Sequence, residues 1–131
     1  MRKISVTLII LIFLLTTVSW AQDSHLSVFN TKAEPGTINI GGKVLISCQV
    51  THLNGPMNIQ RVAATVSSGN LNSSYPMLYD DGTNGDVVAE DGIYSLEIPA
   101  PGISGEAKIV FIAVDTEHNE IESEPVILTV Q

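Results

Sequence analysis

The sequence has little of what catalytic or nucleic-acid-binding proteins depend on. Cys48 is its one cysteine, so no disulfide can close within the chain. Six Lys and Arg stand against fourteen Asp and Glu. Two of those six, Arg2 and Lys3, sit at the very start of the chain. From Gln22 onward the bases are Lys32, Lys43, Arg61 and Lys108, four against fourteen acids, a net charge of −10. No basic stripe remains, which excludes nucleic acid and anionic membranes as partners. Aromatic surface is sparse as well: past the N-terminal segment only Phe29, Tyr75, Tyr79, Tyr94 and Phe111 supply it. A sugar-binding cleft is hard to line with so few rings.

The single long apolar run, from Ile4 to Val18, follows the basic Arg2-Lys3 pair and precedes the small residues Ser19 and Ala21. That order is the layout of a secretory signal peptide, so residues 1–21 are expected to be removed and 22–131 to form one domain. The run is shorter than the roughly 18 apolar residues that spanning a bilayer requires. No cysteine follows it as a site for a lipid. The expected destination is therefore outside the cell or in the periplasm, with no membrane contact after cleavage.

No helical period appears beyond Gln22. Short apolar stretches alternate with polar residues and are separated by Gly, Pro, Asn and Asp, which predicts an all-β antiparallel sandwich of seven or eight strands, immunoglobulin-like or fibronectin type III-like in order. Strands are expected at 26–29, briefly around Ile38 and Ile40, and at 43–51, where Val44, Ile46, Cys48 and Val50 share core parity. Further strands are expected from about 59 to 66, at 75–79 as an edge marked by Pro76, around Tyr94–Ile98, at 107–115 and over Val126–Val130. The stretch from Ser67 to Ser74 reads as a loop. Cys48 reads as a small buried hydrophobe. If consecutive strands run antiparallel, the turns near Asn54 and His118 share one pole with the segment 80–92, and Asp115 and Glu117 can approach that segment.

That segment, D-D-G-T-N-G-D-V-V-A-E-D-G, concentrates the acids Asp80, Asp81, Asp86, Glu90 and Asp91 among Gly82, Gly85 and Gly92. Glycine permits the positive φ of tight turns, and Asp and Asn fold back onto backbone amides. Acids packed so closely repel unless a counter-ion or hydrogen-bond donors answer them. Calcium suits such a loop because it takes about six to eight oxygens in flexible geometry. Zinc and copper would call for His or Cys, which the segment lacks. The candidate ligands are Asp80, Asp81, Asn84, Asp86 and Asp91. The EF-hand pattern does not fit, since Gly82 and Asp91 occupy ligand positions wrongly and the flanks are strands. A metal-free loop held by its own Asx turns is the alternative.

The spacing D-D-G-T-x-G-D-x-x-A-x-D-G-x-Y resembles the signature of bacterial secreted Ig-like modules, among them the choice-of-anchor X domains. Asp80, Asp81, Gly82, Gly85, Asp86, Ala89, Asp91, Gly92 and Tyr94 match, while Glu90 stands where the family form has Gly. The later A-V-D-T-E-H-N is similar to the A-x-D-x-x-G-N that closes such modules, with His118 in place of Gly. The resemblance implies an extracytoplasmic, non-catalytic module with a structural or adhesive role in the cell envelope or outside the cell, and a protein or glycan partner at the cell surface.

Two other readings remain open. The chain could be a metal-free periplasmic binding or inhibitor protein, or a small hydrolase that uses the loop carboxylates as acid and base. No Gly-x-Ser-x-Gly elbow or His-x-x-x-His pair is present. His52 and His118 are expected as solvated turn residues. Asp115, Glu117, Glu120, Glu122 and Glu124 are expected as one solvated face that blunts a sheet edge. Asn72-Ser73-Ser74 is a glycosylation sequon, which has meaning only in a eukaryotic secretory route.

Overall fold

The computed structural model describes residues 25–83 and 89–131. The expected leader, 1–21, lies outside the described residues. Strands β1 (Leu26–Glu34), β3 (Lys43–His52) and β6 (Ile93–Pro99) form one sheet in the order β1-β3-β6. The other sheet runs β2-β9-β7-β4-β5, built from β2 (Thr37–Ile38), β4 (Ile59–Ser68), β5 (Leu71–Tyr75), β7 (Gly105–Asp115) and β9 (Val126–Val130). The short β8 (Glu120–Glu122) pairs with β7 off this path. Seven main strands thus carry the expected order, and β2 and β8 are short additions. All pairings are antiparallel except β2 with β9.

The two sheets close on the residues that parity placed inside. Val44, Ile46, Cys48 and Val50 from β3 meet Val62, Ala64 and Val66 from β4. Ile109, Phe111 and Ala113 from β7 and Leu128 and Val130 from β9 complete the core. Phe111 is the largest fully buried side chain, so β7 lies at the centre of the sandwich. Cys48 is fully buried, and burial pushes its thiol pKa up to about 12. An apolar site of this kind keeps the thiol protonated and inert.

Three departures from the sequence expectation have local causes. β1 does not stop at Phe29; it continues to Glu34 through a bulge between Phe29 and Lys32. Asn30 takes φ 52 there and its side-chain amide donates to the side-chain Oε1 of Gln49 at 3.0 Å. The bulge breaks the alternation that sequence reading relies on. Secondly, the stretch expected as a loop is a hairpin: Ser68 pairs with Leu71 across Gly69-Asn70. Gly69 has φ 59 at the first central position, as a type II′ turn requires. Thirdly, the strand expected at 75–79 ends at Tyr75, and only Tyr79 pairs further, bridging Ser95.

Pro35 lacks an amide hydrogen and interrupts pairing where the chain leaves β1 in one sheet for β2 in the other. The ends of the sandwich then sort as antiparallel order demands. The hairpin Gly69-Asn70 approaches Ile103 at one pole. At the opposite pole, β3 meets the segment entering β6 and the turn after β7 meets the turn after β3: Val50 donates to the Gly92 carbonyl at 3.0 Å and Thr116 donates to the Asn58 carbonyl at 2.9 Å. The acidic stretch therefore lies beside the turn that contains Asn54, as its parity and direction predict.

Candidate functional site at the acidic pole

Three carboxylates of the acidic stretch, those of Asp80, Asp81 and Asp91, are turned onto the backbone. Asp80 Oδ1 accepts from the Asp91 amide at 3.1 Å, and Oδ2 accepts from the Gly92 amide at 2.8 Å. The Asp80 carbonyl also accepts from the Glu90 amide at 2.8 Å. Asp80 thus ties the exit of the loop to its entrance. Asp91 Oδ1 accepts from the Ile93 amide at 2.9 Å, and Asp81 Oδ1 accepts from both the amide and the hydroxyl of Thr83. These are Asx turns that serve the short polar side chains locally.

The electrostatics follow from these contacts. Partial burial raises the Asp80 pKa above the usual carboxylate range, and the neighbouring Asp91 adds to the rise while the Gly92 amide opposes it. Asp81 is lowered, chiefly by the Thr83 hydroxyl. Tyr94 is raised by burial and by the Asp80 charge. It packs against the core where the loop leaves for β6, an anchor for the exit.

Calcium would need more oxygens than these residues converge. Among the described residues no group of three or more His, Cys, Asp and Glu side chains is placed to hold a metal. What they offer a cation is the Asp80–Asp91 pair, hard oxygen donors of the kind calcium prefers, whose mutual repulsion a positive ion would relieve. Asp81 turns to Thr83. Asn84 and Asp86, the other candidate ligands, lie outside the described residues.

The second acid cluster divides. Glu120 and Glu122 are exposed on the edge strand β8, as expected. Asp115 is fully buried, contrary to the expectation of a solvated face. Its Oδ1 accepts from the amides of Glu117 and Asn119 at 2.9 and 2.8 Å, and its Oδ2 accepts from the Asn119 side-chain amide at 3.0 Å. Oδ2 also meets His52 Nε2 at 3.2 Å. His52 Nδ1 accepts from the Asn54 amide at 3.0 Å, so the proton sits on Nε2 and is donated to Asp115. The His52 side chain is only 3 % exposed, which corrects its reading as a solvated residue. With four donors around it, led by the Asn119 side chain, the Asp115 carboxyl is held down to about 2. Among the described residues the partners of Asp115 lie outside the acidic loop; it fastens the β3–β4 turn to the turn after β7.

Between that turn and the acidic loop lies an open groove of about 860 Å³. Its apolar surface includes Pro56, Met57, Ile59, Met77 and Tyr94. Met57 is 91 % exposed and Met77 48 %. The carboxylate-bearing Asp80, Asp81, Glu90 and Asp91 line the side opposite the β3–β4 turn. Sequence reading missed this surface. The signal was a methionine beside a proline on each side, Pro56-Met57 and Pro76-Met77, in segments too irregular to bury them.

Both departures from the resembled signature have one backbone explanation. Glu90 has φ 60 and His118 has φ 69, the left-handed region in which glycine alone is unstrained. The family form has Gly at both positions. Asp115 and Asn119, which match the closing motif, are bonded to each other.

In class the molecule is an immunoglobulin-like β-sandwich. No protein-family model matches the chain, and no curated protein matches it. Among solved structures it is similar to a DUF3823 family protein from Bacteroides ovatus, with TM-score 0.54 and 12 % identity, covering 100 % of this chain and 63 % of that one. It is also similar to part of an alkylpurine DNA glycosylase of Pseudomonas fluorescens bound to DNA containing an abasic-site analogue, with TM-score 0.50 and 11 % identity, over 82 % of this chain and 31 % of that one. The chain thus spans less than two thirds of either. Identities this low show a shared fold and nothing more.

Two measurements check the turn account. Glu90→Gly and His118→Gly should each stabilise the fold by about 0.5 to 1.5 kcal/mol, read as a rise of a few degrees in melting temperature; a loss of stability in both would contradict the strain. Asp115 has a folded pKa near 2, below the unfolded value of about 3.9, so its contribution is complete above about pH 4 and is lost as pH falls through 2. Asp80, raised in the folded state, acts in the opposite sense and cannot supply that acid loss. Asp115→Ala should lower the melting temperature at pH 7 by about 10 °C or more and flatten the acid limb below pH 4.

Proposed function

We propose that this chain is a secreted, non-catalytic immunoglobulin-like binding module that works in the cell envelope or outside the cell. Its working surface is the groove at the acidic pole, and its acidic loop takes up calcium. The observation that carries the reading is the groove itself, where Met57 and Met77 stand exposed beside a row of carboxylates. Thioethers left in water on a small sandwich mark a contact surface more readily than a packing defect. The resemblance of the 80–94 motif to secreted Ig-like modules supports the location and the non-catalytic role.

The groove chemistry supports binding over catalysis. His52, the one imidazole among its lining residues, has both ring nitrogens engaged, by Asn54 and by Asp115. It cannot serve as a general base without breaking that clamp. Asp80 has both carboxylate oxygens on backbone amides. Calcium at the loop is supported by the Asp80–Asp91 repulsion and by the oxygen-only donors. An ion bound there would stabilise the folded state by linkage and hold the rim in one conformation.

Melting in calcium and in chelator tests the ion. At about 5 mM, a site with a dissociation constant of roughly 10⁻⁴ to 10⁻³ M adds about 1 to 2 kcal/mol, a rise of roughly 5 to 10 °C. Asp91→Ala should remove the increment, whereas identical melts in both buffers would contradict calcium. The groove is tested by retaining envelope proteins on the immobilised chain: Met57→Asp should fold normally and release the retained partner, and unchanged retention would contradict the groove.

A further inference from the structure

The described lining of the groove has a chemistry that narrows what it takes. Asp80, Asp81, Glu90 and Asp91 line it, and among the described residues no Lys or Arg does. From Gln22 onward the chain carries only four bases against fourteen acids, so its overall charge reinforces that field. Resting on the reading of the groove as the working surface, we infer that its occupant is a cationic polypeptide segment. One or two apolar side chains of that segment seat against Met57 and Met77, and flanking Lys or Arg meet the carboxylates.

Each half of that occupant answers a separate observation. The apolar part answers Met57 and Met77, whose flexible thioethers adapt to side chains of differing shape. The cationic part answers the rim, since opposite charge steers encounter and like charge costs several kcal/mol. A second copy would set the same carboxylates against themselves. Anionic lipid headgroups and nucleic acid phosphates meet the same repulsion. A glycan would stack on open aromatic faces, but Tyr79 and Tyr94 are each half-buried. Asp80 and Asp91 also hold the loop closed through their amide bonds, so the rim is in place before the partner arrives.

The test uses the purified protein in chelator and fluorescein-labelled synthetic peptides with a Leu-Phe centre flanked by two Lys on each side. Two further peptides carry a Ser-Ser centre with the same Lys flanks, or the Leu-Phe centre with Glu flanks. The first should bind about tenfold more tightly than either of the others, and raising salt from about 50 mM to about 300 mM should weaken it several-fold. Glu90→Gln should weaken it too. Met57→Asp is decisive, because it adds a carboxylate: attraction by charge alone predicts tighter binding, and seating in the groove predicts weaker binding. Equal affinity for both Lys-flanked peptides, or tightening by Met57→Asp, overturns the inference. So does concentration-dependent dimerisation that Met57→Asp abolishes, which would make a second copy the occupant. If no peptide binds while Met57→Asp still releases the envelope partner, the segment chemistry is wrong and the groove reading stands. If Met57→Asp changes neither, both fail.

Discussion

One buried carboxylate, that of Asp115, holds the functional pole of this sandwich in shape. It collects two backbone amides and a side-chain amide from its own turn, and it takes a fourth hydrogen bond from His52 across the sheets. A buried carboxylate without partners would be intolerable, and one with four is a rivet. Through His52 the rivet reaches Asn54, and through Thr116 the same turn reaches Asn58. The segment from His52 to Asn58, which carries Met57, is thereby fixed relative to the core although its only regular element is a single 3₁₀ turn.

Asp80 does the corresponding work on the other wall. Its two oxygens close the acidic loop on the amides of Asp91 and Gly92, and Gly92 is tied in turn to Val50. The density of acids in this loop therefore has a structural component: carboxylates replace strand pairing as the acceptors for amides that a turn leaves unpaired. It also has a cost, visible in the raised Asp80 pKa: partial burial disfavours its charge, and the neighbouring Asp91 adds to the rise. A cation or a cationic partner relieves the same strain. As proposed above, calcium uptake and the binding of a basic segment would be two responses to one electrostatic condition, with the groove adding apolar contact for the segment.

Much of the architecture was legible because parity in a sandwich is rigid. Val44 to Val50, Val62 to Val66 and Val126 to Val130 alternate, and a slip of one residue would turn every one of them to water. Direction is legible for the same reason: antiparallel order brings the turns at Asn54 and His118 to the pole of the acidic segment. The failures fell where alternation breaks. The bulge at Asn30 hid the second half of β1, and the polar strand Leu71–Tyr75 has no apolar face to reveal it, although Gly69-Asn70 is a hairpin signal. At the site, residue type singles out Asp80 and Asp91, whose carboxylates the structure places on backbone amides. Sequence could not say that Asp115 is buried, because that depends on His52, which is 63 residues away along the chain. Nor could it reveal the groove, since exposure of Met57 and Met77 is a property of two turns set side by side.

The central claim is that buried and half-buried carboxylates bonded to backbone amides pre-form this pole. Amide hydrogen exchange of the native protein tests it most directly. The amides of Asp91 and Gly92, held by Asp80, and those of Glu117 and Asn119, held by Asp115, should exchange orders of magnitude more slowly than an unstructured chain despite lying outside regular strands. Exchange of those four amides at the unstructured rate, with the amides of β3 and β7 still protected, would contradict it.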